Sequence, residues 1–344
     1  MKLNLGFIGF GNVARAFSRV LAERQSILFH KCGLELKTTA IATANHGCVL
    51  SPIGFDLVKA AELSEQGLSF TNLADSLPVS DPLALIERCD VDVLFETTTL
   101  NVVDAQPAIN HIRAALNRGI HVVTANKGPI AFAYNELKAL AAKNNRCFYF
   151  EGTVMDGTPV FNLVERCLPA TRVLGFSGIL NSTSNLILTR MESGLSFEDA
   201  LAEAQSRGIA EANADYDIDG WDAAMKAVVL TNVLMGGQLH PSQVTRQGIR
   251  DVTARDLNEA AGSGKSIRQI ARSARTSEGI KITVMVEEVP AASALGSVRG
   301  TSNVLLLETD LMGEIGIVEN DPGVQQTAYA LLSDLLRIRE SLDP

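Results

Sequence analysis

The hydrophobic and polar positions of the chain fall into two regimes. In the first, short apolar runs alternate with amphipathic stretches. Residues 3–8 read as a buried strand, and GFGNVARAFSRVLAERQ reads as the helix after it, opened by glycines. LELKTTAIATA, VDVLFETT, IHVVTAN and CFYFEGTV predict further strands, with PAINHIRAALNRG and NELKALAAKNN as helices. Strands separated by helices predict a parallel sheet with crossover connections.

In the second regime this alternation is lost. RVLGFSGIL and KITVMVEEV predict strands. LSFEDALAEAQSRG predicts a helix with Ser196 as N-cap and Asp199 three positions on. DGWDAAMKAVVLTNVLMGG predicts a long buried helix ended by glycines, and VQQTAYALLSDLLRIRE an amphipathic terminal one. Together the patterns predict an α/β fold. A Rossmann dinucleotide-binding domain covers 1–150, an α+β substrate domain covers 151–308, and the tail 309–344 rejoins the first domain.

Composition removes several function classes. The 344 residues are 46% hydrophobic and 20% charged, an ordinary globular balance. A net charge of −9 leaves no broad basic footprint for nucleic acid. No apolar run reaches the roughly 18 residues of a membrane helix. The apolar N-terminus follows a lysine, as a signal peptide would, but Arg15 and Arg19 interrupt it and its glycines form a phosphate-binding pattern. Cys32, Cys48, Cys89, Cys147 and Cys167 are scattered, without a C-x-x-C pair. They fit buried thiols in a reducing compartment, and the expected location is cytoplasmic.

Gly9-x-Gly11-x-x-Ala14 directly follows the first strand and opens the helix. The first glycine permits the tight turn, the second lets backbone approach a pyrophosphate, and the small third residue allows close helix–strand packing. With Asn12 and Val13 in its first turn, the helix N-terminus offers unsatisfied N–H groups to phosphates. The expected cofactor is NADP or NAD. An NAD site usually carries Asp or Glu at the end of the second strand. Here that segment reads Thr43, Ala44, Asn45, His46, so the expectation leans slightly to NADP. His46 and Lys59 are candidate phosphate partners, but a solvated surface role is the favoured reading for each.

Ligands of open parallel sheets bind outside the carboxyl ends of strands. That places Thr97 and Thr98 of FETTTLN, and Asn126 and Lys127 of VVTANKGPIA, at the expected cofactor pocket. Lys127 also reads as an exposed loop lysine. Asp222 and Lys226 stand four apart on the buried helix. On a surface they form an i,i+4 pair worth about 0.2–0.5 kcal/mol. Asp219 would then be the N-cap and Asp222 its N3 partner. Yet Ala223, Ala224, Met225, Ala227 and Val228 leave that pair no polar face, which favours a functional lysine. Glu211, Asp215, Asp217 and Asp219 form an acidic cluster without EF-hand spacing, suited to a substrate amine. Asn181, Ser182, Thr183, Ser184 and Asn185 form a polar turn that closes over substrate or caps a helix, with Ser184 or Asn185 as the expected cap.

GFGNVARA, VVTANKGPIA, EGTVMDGTPV, the block GILNSTSNLILTRMESGLSFEDALAEAQSRGIAEANADYDIDGWDAAMK and the tail GEIGIVENDPGVQQTAYALLSDL together resemble the homoserine dehydrogenase family, in the family's order. The resemblance implies a short form without a C-terminal regulatory domain. It implies reversible reduction of aspartate semialdehyde to homoserine with NAD(P)H. It assigns the catalytic lysine to Lys226 and a second active-site lysine to Lys127. The acids that hold the substrate amine and the neighbouring lysine are assigned to Glu211, Asp217 and Asp222, with Asn181, Ser182 and Thr183 beside the substrate. A Na⁺ or K⁺ ion is implied on main-chain carbonyls near Glu151, Val154, Asp156 and Thr158, and a homodimer through the second domain. The chain departs from the family pattern at Asp156, usually small, and at Ser182 and Leu186, usually glycine and tyrosine. NDPGVQQ replaces a glycine-rich turn expected beside the cofactor phosphates. A dehydrogenase for another amino-bearing alcohol and a silent NAD(P)-binding regulatory protein are the alternatives.

Overall fold

β1 (Lys2–Ile8), the apolar run at the N-terminus, lies at the centre of a seven-stranded sheet. The other strands are β2 (Glu35–Thr43), β3 (Gly47–Phe55), β4 (Leu77–Val79), β5 (Val93–Glu96), β6 (His121–Thr124) and β7 (Phe148–Tyr149). Their order is β4-β3-β2-β1-β5-β6-β7. β2, β1, β5, β6 and β7 are parallel, as the strand–helix alternation predicts. β3 and β4 are an antiparallel extension that the apolar pattern does not announce. β3 carries Pro52 and Gly54, which suit an irregular, weakly patterned strand.

The sheet is pinned to its first helix by aromatic side chains. Phe7 stacks on Phe95 with ring centroids 5.1 Å apart, and Phe17 of helix Asn12–Cys32 lies 4.8 Å from Phe95. Such pairs contribute about 0.5–1.5 kcal/mol beyond their area burial. The terminal helix Val324–Leu342 adds Ala328, Leu331, Leu332, Leu335 and Ile338 to the same core. Of the predicted strand CFYFEGTV only Phe148–Tyr149 is extended, because Glu151–Thr153 turns as a single 3-10 turn. The Glu151 N–H donates to Asp334 at 2.9 Å and ties that turn to the terminal helix.

The computed structural model describes residues 1–342. They divide into two units, Met1–Pro159 with the C-terminal segment from Gly323, and Val160–Pro322. The sequence places the crossings at 150 and 309. The first lies later because residues 151–159 are tied to the terminal segment, by Glu151 and by the Thr327 hydroxyl, which donates to Asp156 at 2.8 Å. The second lies later because residues 313–319 form a strand of the second sheet.

That sheet has six strands: β8 (Val173–Ile179), β9 (Thr245–Arg246), β10 (Lys265–Thr276), β11 (Gly279–Pro290), β12 (Asn303–Thr309) and β13 (Gly313–Glu319). Their order is β13-β12-β8-β10-β11-β9, antiparallel except for β11 and β9. β10 is hidden in the sequence because its polar residues are buried. Arg268, fully inaccessible, donates to Glu192 at 2.6 Å and to the carbonyls of Val298 and Gly296. That pairing offsets the cost of burying its charge. No helix of the described residues is long and apolar enough to cross a membrane.

Candidate active site

The β1–helix turn is built by close approach of backbone. Gly9 has φ 88°, and a Cβ there would stand 2.5 Å from the Thr97 carbonyl carbon. Only glycine fits that conformation and that space. The Gly9 N–H donates to Ala42 at 2.8 Å, the Thr97 N–H donates to Ile8 at 2.8 Å, and the Thr97 hydroxyl donates to the Gly9 carbonyl at 2.9 Å. Gly11, by contrast, has open space where a Cβ would go. It is the N-cap of helix Asn12–Cys32, whose first turn has no side-chain cap and no acid. An uncapped helix N-terminus beside open space suits a pyrophosphate. Ala14 is wholly buried, as the small third position requires.

This turn opens into a cleft of about 990 Å³ at the carboxyl edge of the sheet. Gly9, Gly11, Thr43, Thr97 and Thr98 line it, as the sequence predicts, together with Arg15, Asp81 and His111. Asn12, Val13 and Ala14 are in the helix turn behind it. No residue of 323–326 is among the lining; the helix after them packs Ala328, Leu331 and Leu335 into the core of the same unit, and Thr327 donates to Asp156.

Asn126 caps the helix Lys127–Lys143, accepting from Gly128 N–H at 3.0 Å, and its amide donates to the Thr98 carbonyl at 3.2 Å. Lys127 is thus the first residue of a helix rather than a loop lysine. Beneath lies Glu96, which the sequence reading does not single out. Its carboxylate accepts from the Thr98 N–H at 3.2 Å, from the Thr98 hydroxyl, and from the Thr124 hydroxyl at 3.0 Å. Thr124 in turn accepts from the Asn126 N–H at 3.0 Å. One buried carboxyl therefore braces the ends of β5 and β6. Burial pushes it up to about 7, against the hydrogen bonds that lower it.

In the second unit the polar turn after β8 and the apolar helix Trp221–Leu234 meet. Asn181, not Ser184 or Asn185, caps helix Ser182–Glu192, accepting from Ser184 N–H at 2.7 Å. Its amide donates to Asp217 at 2.7 Å and to Asp222 at 3.0 Å. Lys226 lies 3.2 Å from Asp222 and donates to the Leu180 carbonyl at 2.7 Å. The N-cap of its helix is Gly220, at φ 79°, so Asp219 does not cap and Asp222 is not N3 of a capping box. Freed from that role, Asp222 turns inward; its side chain is only 8% exposed and that of Lys226 14%. A solvated surface pair is excluded by these values.

The acidic cluster splits. Asp215 and Asp219 pair with Arg250, while Asp217 joins Asn181. Glu211 is exposed, and its main-chain oxygen accepts from Gln205 at 3.2 Å. Thr183 donates to the Ile209 carbonyl at 3.3 Å, and Ser182 accepts from Asn303 at 3.1 Å, so neither joins the lysine cluster directly. Leu186 is buried in the core with Ile187, Leu188 and Met191, which makes that departure a matter of packing. Tyr216 is a further residue of this cluster. Its hydroxyl is buried without a hydrogen-bond partner, and desolvation and the Asp222 and Asp217 charges hold it in the neutral form.

In the 151–159 turn, Asp156 has φ 43° and its carboxylate accepts from Thr327. Thr158 N–H donates to Met155 at 2.8 Å. No group of three or more His, Cys, Asp or Glu able to hold a metal occurs among the described residues. An ion here would depend on backbone oxygen.

The switch-point cleft with its glycine turn, on a parallel sheet, defines an NAD(P)-binding protein of the oxidoreductase class. Residues 9–151 match the family model described as homoserine dehydrogenase, NAD binding domain, and residues 159–336 match homoserine dehydrogenase. The chain belongs to the homoserine dehydrogenase family. It is 36% identical to the NAD(+)-dependent homoserine dehydrogenase of Pseudomonas canavaninivorans, over 99% of this chain and 97% of that one. It is 37% identical to the homoserine dehydrogenase of Methanocaldococcus jannaschii, over 98% of this chain and 99% of that one. A solved structure of a putative homoserine dehydrogenase from Archaeoglobus fulgidus aligns with TM-score 0.87 and 34% identity, covering 98% and 99% of the two chains. A hyperthermophilic archaeal homoserine dehydrogenase in complex with NADPH aligns with TM-score 0.83 and 32% identity, covering 99% and 98%.

Glu96 gives a pH prediction. Its native value, about 7, lies above the ordinary 4.5, so between these values the native state holds a proton that the unfolded chain releases. Stability therefore falls as pH rises through that window. Glu96→Gln cannot ionise and should flatten the decline. Thermal unfolding at several pH values from about 5 to about 8 tests this; parallel declines in both proteins would contradict the assignment.

Proposed function

We propose that the chain reversibly reduces L-aspartate 4-semialdehyde to L-homoserine with NAD(P)H. The carrying observation is Lys226, held by Asp222 and the Leu180 carbonyl on a helix whose residues from Ala223 to Leu230 are otherwise apolar. When bound, the nicotinamide supplies a hydride to the aldehyde carbon. The carbonyl electron pair then moves to oxygen, and an ammonium at that oxygen stabilises the charge and gives up the proton. In reverse, the neutral amine takes the proton from the alcohol. Lys226 is proposed for this role, with Asp217, Asp222 and Asn181 holding it in place. Glu211, exposed and ahead of this cluster in the chain, is proposed to hold the substrate amine, with Ser182 and Thr183 shaping the helix N-terminus beside it. Lys127, at the start of a helix whose cap contacts Thr98, is proposed to serve the nicotinamide end.

A monovalent cation, Na⁺ or K⁺, is proposed on the main-chain oxygens of Glu151, Val154, Asp156 and Thr158. The support is the irregular backbone there, with Asp156 in the left-handed region, and the hard oxygen donors such ions prefer. A homodimer through the second unit is also proposed. β11 pairs with β9 only at Thr283 and Val284, which leaves most of its outer edge open to a second copy.

Oxidation of homoserine followed at the nicotinamide absorbance tests the reaction. Turnover only with other alcohols, or cofactor binding without turnover, would contradict it. Lys226→Met should lower kcat by roughly 10²–10⁴ while nucleotide binding persists. In Glu211→Gln the loss should fall on KM for homoserine more than on KM for a des-amino analogue. Replacing K⁺ and Na⁺ with tetramethylammonium should lower Tm and activity together; no change in either removes the ion. Light scattering should give twice the chain mass, 36.8 kDa, and a monomeric mass removes the dimer.

A further inference from the structure

β3 runs antiparallel to both β2 and β4, so β2 and β4 end at the same edge of the sheet. Cys48 on β3 faces Ala42 of β2 and Val79 of β4. Ser80 and Asp81 therefore emerge beside Thr43, and both line the cleft with it. In a Rossmann cleft the end of the second strand is the adenosine side, where ribose hydroxyls are read. Asp81 is the single carboxylate among the lining side chains. It is also fixed in place, because it caps helix Pro82–Arg88, accepting from the Ala84 N–H at 2.9 Å, and receives the Ser80 hydroxyl at 2.7 Å. Those donors hold it below its ordinary range and keep it ionised.

Among the described residues, Arg15 is the one lysine or arginine in the lining. Burial drives His111 down to about 4, so it is neutral. The His46 ring is engaged with the Leu68 carbonyl at 3.1 Å. Lys59 pairs with Glu62 at 3.0 Å and is not in the lining. Arg15 stands in the pyrophosphate turn, bridged to Asn12 and Ser64 and 3.8 Å from Glu65.

We propose that Asp81 is the residue that selects the cofactor, favouring NAD by accepting from the adenosine moiety and repelling the 2′-phosphate of NADP. This rests on the reading of the cleft as an NAD(P) site, and it opposes the NADP lean taken from the missing acid at the end of β2. The acid comes from β4 instead.

The test is kcat/KM for homoserine with each cofactor, together with titration of NADH and NADPH by their fluorescence, in the wild type and in Asp81→Asn. Asparagine keeps the N-cap acceptor and removes the charge. The wild type should favour NAD by about tenfold or more, and the variant should shrink that ratio by about tenfold, chiefly by tighter NADPH binding. A wild type that prefers NADP, or an unchanged ratio in the variant, overturns the proposal. Asp81→Ser, which also caps, serves if the asparagine variant fails to fold. Fluorescence titration needs no substrate, so Asp81 is tested even where homoserine is not oxidised. That second failure would fall on the proposed reaction alone.

Discussion

The Asn181 amide is the constraint on which the second unit's polar cluster depends. It has one acceptor and two donors to spend. Helix Ser182–Glu192 takes the acceptor for its N-cap, and this leaves both amide hydrogens facing Asp217 and Asp222. Two carboxylates thereby share one neutral donor in a buried place. Like charges so close require a cation, and Lys226 on the next turn supplies it. An acid at position 181 would keep the cap and add a third negative charge; alanine would remove both functions. The lysine is thus set by a capping requirement in a segment some forty residues earlier in the chain.

How much of this was legible in the sequence follows from how local each determinant is. The glycine turn was legible because Gly9 answers a local backbone demand: it is left-handed and closely approached by Thr97. The pairing of Asp222 with Lys226 was legible from helical spacing, and the apolar neighbours correctly pointed away from a surface pair. Their further partners were not, because Asn181 and the Leu180 carbonyl arrive through tertiary folding. The choice of cap failed for a related reason. Asn181, Ser184 and Asn185 all cap helices well, and only the end of β8 decides which backbone is already extended. The acidic cluster looked uniform in sequence, yet Arg250 draws two of its members outward and Asn181 draws Asp217 inward.

The strands without a sequence signal share one property: their patterns are not those of half-buried strands. β10 buries Arg268 and Gln269, β3 is interrupted by proline and glycine, and β13 alternates weakly at an edge. Each owes its place to partners already formed. The resemblance carried the identity of the fold past these gaps, since the central block names a family without needing every strand.

The antiparallel pair β3 and β4 has the largest chemical consequence among the hidden elements. A reading confined to the glycine turn and the end of β2 looks for the discriminating charge in one place, finds Thr43 and Ala44, and concludes that none exists. The sheet order changes that conclusion. Because β4 returns to the direction of β2, its final residues are delivered to the same edge, two strands away. An acid there is fixed by a helix N-terminus that needs a cap, so its orientation costs the site no additional ordering. Cap and ligand compete for the same carboxylate only in part: one oxygen accepts from Ala84 and the other from the rotatable Ser80 hydroxyl. Each oxygen keeps a further lone pair for a ligand. In the proposed reading, cofactor charge is read by a residue whose position follows from topology rather than from the glycine turn.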